Sequence, residues 1–220
     1  MIPDGKTNVK RTARRRPQHE DAALLEAASE VFAREGFAAA SVARIAAEAG
    51  ATKPTLYARF GAKADLYDAV VRYQAEAIRA HLFAAYDRAA GLGLAEAIRE
   101  GVDAWFAFAA ARPEGMRLLF GEDAGAESPV ARETTEAIIQ RISSVTEHFS
   151  ARTGRPAGRA APVIAAMIVG ACVHAIRRCL DDPSLDPEAV SALTTSFVTA
   201  AAAGLNADLY GAFRGATPDD

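Results

Sequence analysis

The stretch Ala40–Tyr67, ASVARIAAEAGATKPTLYARFGAKADLY, sets out two short helices and their stops in succession. Ser41 stands before Val42, Ile45, Ala46 and Ala49, an apolar series at helical spacing. Its hydroxyl can accept a hydrogen bond from a free N–H of the first turn. Gly50 ends that helix. Thr52 repeats the cap, and Pro54 sits in the next first turn, where a missing N–H costs nothing. Leu56 and Phe60 form the inward pair of the second helix, and Gly61 breaks it. What is left over, Lys53, Thr55, Tyr57 and Arg59, suits no core. Helix, glycine turn, helix is the pattern of a helix-turn-helix. The second helix of such a pair lies in the DNA major groove, which is about 12 Å wide and admits one.

The same spacing rules extend outward. Leu24, Ala27, Ala28, Val31 and Phe32 predict a helix before the motif, stopped by Gly36. Leu66, Ala69, Val70, Tyr73 and Ala77 predict a longer one after it, running to about residue 89. Further helices are expected from Leu94 to Arg112, around Met116–Phe120, from Val130 to near Gly154, from Ala161 to about Leu180, and from Val190 onward. No strand pattern or internal repeat is present. The expected fold class is all-α, with about nine helices.

The chain has 220 residues and a net charge of -3, and half of its residues are apolar. The charge is unevenly spread. Residues 1–63 hold 11 Lys and Arg against 7 Asp and Glu, which leaves the remainder at -7. A basic front on an acidic body is the asymmetry of a nucleic-acid binder with a second, different domain. Cys172 and Cys179 lie two helical turns, about 10 Å, apart, beyond the reach of a disulfide within one helix. They read as reduced thiols. The N-terminus carries no apolar leader, so the expected location is cytoplasmic. Ala160–Ile176 is nearly all apolar, but Pro162, Gly170 and His174 interrupt it. It reads as a helix buried on most faces rather than a membrane span.

The helix EDAALLEAASEVFAREGF (20–37), the segment 40–67 and the helix that follows resemble the TetR family of bacterial transcriptional regulators. The resemblance covers about residues 20–75. It implies a flexible basic arm at 1–18, a helix-turn-helix DNA-binding domain at 19–65 and a helical effector-binding and dimerisation domain at 66–220. It implies roles for Ser41 and Thr52 as helix caps, with Ser41 near phosphate, and for Lys53, Thr55 and Tyr57 at the groove or its backbone walls. Lys63 would grip phosphate, and Arg44 lies on the exposed face of the first motif helix. The family often has histidine at one or both of positions 58 and 59; here they are Ala58 and Arg59, and Arg59 grips phosphate or reaches a guanine. The arm either enters the minor groove or adds nonspecific attraction to phosphate.

The resemblance further implies a homodimer through the last two helices, a palindromic double-stranded DNA operator, repression as the default, and release by a small, partly apolar effector. Candidate pocket residues are Trp105, Phe106, Phe108, Met116, Phe120, Met167, Cys172 and His174, types that at helical spacing also serve as core. Enzyme chemistry finds no support. His19, His81, His148 and His174 are scattered, and no His-x-x-x-His or Cys-x-x-Cys occurs. The acidic run DDPSLD (181–186) contains Pro183, which breaks the helix that a metal-binding cluster would need. No catalytic residue, metal or cofactor is expected.

Overall fold

Gly36, Gly50 and Gly61 all hold positive φ, at 74°, 61° and 83°. This left-handed region costs glycine nothing and ends helices. They punctuate the first part of a computed structural model that describes residues 9–121, 128–152, 154 and 156–205. Nine α-helices and one 3-10 turn lie among the described residues. Helix α1 (Val9–Ala39) is kinked at Gly36, and Ala40 N–H closes onto the Gly36 carbonyl at 3.1 Å. It begins inside the stretch expected to be an arm, and residues 1–8 lie outside the described ones.

The remaining helices of the motif follow from local chemistry. Ser41 caps α2 (Val42–Glu48), accepting from the Arg44 N–H at 3.2 Å. Thr52 caps α3 (Lys53–Phe60), accepting from the Thr55 N–H at 3.3 Å. The Asp65 carboxylate accepts from the Ala62 N–H at 2.8 Å and so caps α4 (Lys63–Ala89) from inside its first turn. A Cβ on Gly61 would meet that carboxylate at 2.7 Å, a second reason for glycine there.

The chain forms two compact units, Met1–Gln74 and Ala75–Asp220, so the division falls within α4, later than the 65/66 boundary expected from sequence. In the first unit α2 packs on α1 and on α3. Ile45, Leu56, Leu66 and Val70 are fully buried, and the Tyr67 ring meets Phe32 edge-on at 5.1 Å. The buried amide of Gln74 donates to Ser29 at 2.9 Å, which satisfies a polar group that burial would otherwise penalise.

In the second unit, α5 (Leu94–Ala111) turns eight residues inward, among them Val102, Trp105 and Phe108. Gly101 lets it approach Tyr86, whose ring would lie 3.2 Å from a Cβ there. Pro113 opens α6 (Pro113–Phe120), and Pro129 opens α7 (Pro129–Arg152). A 3-10 turn (Gly158–Ala160) leads into α8 (Ala161–Asp181), and α9 (Pro187–Gly204) follows, capped by Asp186. Asp182 accepts from the Ser184 N–H and hydroxyl at 3.0 and 2.6 Å, and these bonds hold its carboxyl below the ordinary range. The acidic run is therefore a turn between two helices. Helix α8 packs on α5, α7 and α9, and α9 packs on α5.

By length and composition alone, Gly158–Asp181 could cross a membrane, with a mean hydropathy of 1.8. Only 39% of that apolar window is buried within the chain. The core takes Ala165, Val169, Cys172 and Ile176, and Val163 and Met167 are left exposed. An apolar helix covered on less than half of its surface needs a further partner.

Candidate nucleic-acid interface and effector cavity

Leu56 decides which way α3 faces. It is 1% exposed, so it turns Lys53, Pro54, Tyr57 and Ala58 outward as one face. Tyr57 is 51% exposed, and no hydrogen bond or ion pair holds Lys53 among the described residues. Thr52 Oγ1 and Thr55 Oγ1 lie 2.9 Å apart, so both hydroxyls are engaged in the cap. The result is a stiff helix start whose lysine and phenol project into solvent.

The other basic residues expected on this surface are held by their own chain. Arg44 meets Glu35 at 2.8 Å. Arg34 bridges Glu35 at 3.1 Å and Glu48 at 2.7 Å, and these carboxylates, Glu48 first, raise its guanidinium above the ordinary value. The cluster ties α1 to α2. Arg59 turns back to Asp21 at 2.5 Å. Lys63 donates to the Ala38 carbonyl at 3.1 Å, and its ammonium sits 4.8 Å from the centre of the Phe37 ring. Exposed ion pairs contribute only about 0–1 kcal/mol, so a phosphate can displace a carboxylate from Arg44 or Arg59 at little cost. The Glu35 and Asp21 partners of Arg44 and Arg59, and the Ala38 carbonyl that holds Lys63, were not foreseen from the sequence.

The second unit holds a cavity of about 620 Å³ between the end of α4 and helices α5, α7, α8 and α9. Trp105, Met167 and Cys172, all singled out from sequence, line it. Burial pushes the Cys172 thiol up to about 12, so it stays protonated and unreactive. The Trp105 indole N–H donates to the buried Tyr86 hydroxyl at 3.0 Å, and burial raises that phenol too. Both cysteines are free thiols.

The other five pocket candidates lie elsewhere. Phe108, Met116 and Phe120 are buried in the core. Phe120 packs edge-on to Trp105 at 5.4 Å, and Phe108 lies 6.0 Å from the His81 ring. Phe106 lines a separate open hollow of about 850 Å³ between α5 and α9, beside Asp103 and Ser191. His174 is exposed, its Nδ1 2.9 Å from the Gly170 carbonyl. Sequence reading missed Tyr86, Ile142, Val145, Phe149, Arg152 and Phe197 as cavity lining. Ile142, Val145 and Phe149 were visible as the apolar stripe of α7, but a stripe does not distinguish a filled core from a hollow. Arg152 is the one charged residue among the lining side chains described. No group of three or more His, Cys, Asp or Glu that could hold a metal ion occurs among the described residues.

Comparison with known proteins bears on both units. The family model for bacterial regulatory proteins of the tetR family matches residues 24–70. The transcriptional activator FasR of Mycolicibacterium smegmatis is 32% identical over 179 residues, 79% of this chain and 78% of that protein. The transcriptional repressor SCO4008 of Streptomyces coelicolor is 34% identical over 139 residues, 61% of this chain and 67% of that protein. Among solved structures, a TetR-like transcriptional regulator from Rhodococcus sp. RHA1 shares the fold, with a TM-score of 0.67 and 22% identity over 84% of this chain and 97% of that one.

Proposed function

The chain belongs to the tetR family of bacterial transcriptional regulators, and from that premise we propose that it works as a ligand-responsive homodimer on a roughly palindromic DNA operator. The observation that carries this reading is the outward face of α3, where Lys53 and Tyr57 project from a helix anchored by Leu56 and capped by Thr52. A helix so presented fits the major groove, and a two-fold pair of heads reads two half-sites about one helical turn apart. The protein acts in the cytoplasm, where its DNA is.

The last two helices supply the dimer surface. Val163 and Met167 on α8 and Leu193 and Phe197 on α9 are exposed, each pair one turn apart. No Asp, Glu, Lys or Arg occurs from Ala161 to Ile176 or from Val190 to Gly204. Depletion of charge with exposed aromatic and Met side chains is the signature of an interface core.

The effector enters the cavity of the second unit. A volume of about 620 Å³ lies within the usual range of small-molecule sites, roughly 300–1,000 Å³. An apolar wall with Arg152 as its one described charge suits a ligand with a hydrocarbon body and a single anionic group. A ligand that binds one conformation better shifts the population toward it, and typical couplings of about 1–3 kcal/mol change operator affinity roughly 5- to 150-fold. Repression, relieved by the effector, is the proposed sign of control; FasR is named an activator and SCO4008 a repressor.

The test is to bind purified protein to genomic fragments and sequence those retained. Enrichment of one or a few palindromes is the expected result. Uniform retention that salt abolishes would replace the specific regulator with a nonspecific DNA-coating protein.

A further inference from the structure

We infer that Gln74 is a positioning residue for DNA binding: with Ser29, Glu26 and Tyr73 it holds α1 on α4 in one register, and so sets where α3 stands relative to Lys63. The inference rests on the DNA-binding reading above and deepens it. Ser29 and Gln74 are each 1% exposed. Among the described residues of the first unit, they are the two buried side chains that are neither apolar nor aromatic. They bond to each other, the Gln74 amide donating to the Ser29 hydroxyl at 2.9 Å. The same amide reaches Glu26 Oε2 at 3.5 Å, and the Tyr73 hydroxyl donates to Glu26 Oε1 at 2.8 Å. Two residues of α1 thus meet two of α4.

The Phe32 ring meets Tyr67 edge-on at 5.1 Å, and with Glu26 on Tyr73 this makes the two helices antiparallel. Apolar burial is non-directional, so a ring contact tolerates a shift that a hydrogen bond does not. A buried amide is costly unless it is bonded, and leucine would fill the space without that condition. What the amide adds is a fixed register, the best-attested use of a buried polar group at a helix contact.

Register matters because α1 carries the DNA-facing surface. Helix α2 packs on α1, and α3 on α2. Asp21 and Glu35, which hold Arg59 and Arg44, lie on α1 to either side of Glu26 and Ser29 in sequence. Lys63 opens α4. A slide or rotation of α1 on α4 therefore moves Arg44, Arg59 and the face of α3 against Lys63, with every charge still present. Binding to an operator needs these groups at fixed separations, whereas attraction to phosphate in general needs only the charge.

The test is Gln74→Leu, which is close in size and leaves the Ser29 hydroxyl its bond to the Leu25 carbonyl at 2.7 Å. Affinities for the selected operator and for unrelated DNA of the same length are measured by anisotropy, beside urea unfolding. The expected result is operator affinity lower by about tenfold or more, affinity for unrelated DNA within about twofold, and an unfolding midpoint no lower than the native one. Unchanged operator affinity overturns the inference. So does an equal loss on both DNAs, or a loss that comes only with a lowered midpoint, which would make the network purely structural. Should Gln74→Leu not fold, Tyr73→Phe removes a single part-buried hydroxyl and is read in the same way. Its ratio of operator to unrelated affinity should fall about threefold, and an unchanged ratio overturns the inference. A native chain that prefers no operator overturns the DNA-binding reading itself, whatever the variants do.

Discussion

Replacing Lys53 by Ala removes a charge that nothing in the folded chain uses. Lys53 is exposed at the first position of α3, and no described residue pairs with it. The fold therefore should lose almost nothing, within the roughly ±0.5 kcal/mol of ordinary surface substitutions. DNA binding should lose much more. Each head contributes one such lysine, so a two-headed complex releases about two fewer counterions. At about 0.9 per phosphate contact, the slope of log affinity against log salt becomes shallower by about 1.8. Between 50 and 200 mM salt, the advantage of the native protein over the variant then shrinks about tenfold. The assay is fluorescence anisotropy with an operator recovered from the genomic selection, at five or six salt concentrations, beside a thermal melt of the free protein. An unchanged slope would show that Lys53 does not reach phosphate. A lowered melting temperature would show that it holds the helix, and the outward reading of α3 would fail.

Three further outcomes follow from the same geometry. Asp21→Asn removes the carboxylate that pairs with Arg59 in each of the two heads, so operator affinity should rise, by up to about thirtyfold for two exposed pairs of up to ~1 kcal/mol each; weaker binding in the same anisotropy assay would mean that the pair positions Arg59 for DNA. Leu56→Ala should cost about 2–5 kcal/mol in urea unfolding of the first unit, because Leu56 is the buried anchor of α3, and a cost below 1 kcal/mol would contradict that anchoring. The Cys172 thiol, raised to about 12 by burial, keeps its proton above pH 9 while the unfolded chain sheds its own. Stability should therefore fall as pH rises from 9 to 12, by up to about 1.4 kcal/mol per pH unit, and Cys172→Ala should flatten that fall; identical pH profiles for the two proteins would place the thiol in water.

The parts of this protein that were legible in the sequence are those governed by short-range contacts. A cap is a hydrogen bond between residues three apart, so Ser41 to Arg44 and Thr52 to Thr55 were readable as residue types at a fixed spacing. A helix stop is one glycine with φ near +70°, so Gly36, Gly50 and Gly61 marked their own boundaries. The inward turn of Leu56 followed from the helical period, and with it the outward turn of Lys53 and Tyr57. All-helical architecture is the sum of such local decisions.

What only the tertiary structure decided depends on residues far apart in the chain. Arg59 finds Asp21 38 positions away, and no spacing rule joins them. Trp105 and Phe120 are both apolar and inward; Trp105 borders the cavity, and Phe120, on α6, packs edge-on against it in the core. His174, named among the pocket candidates that the resemblance implied, lies on the exposed side of α8. Periodicity tells each helix which side to bury. Whether the space on that side is filled or hollow is set by how several helices pack together, and that information is in no single one of them.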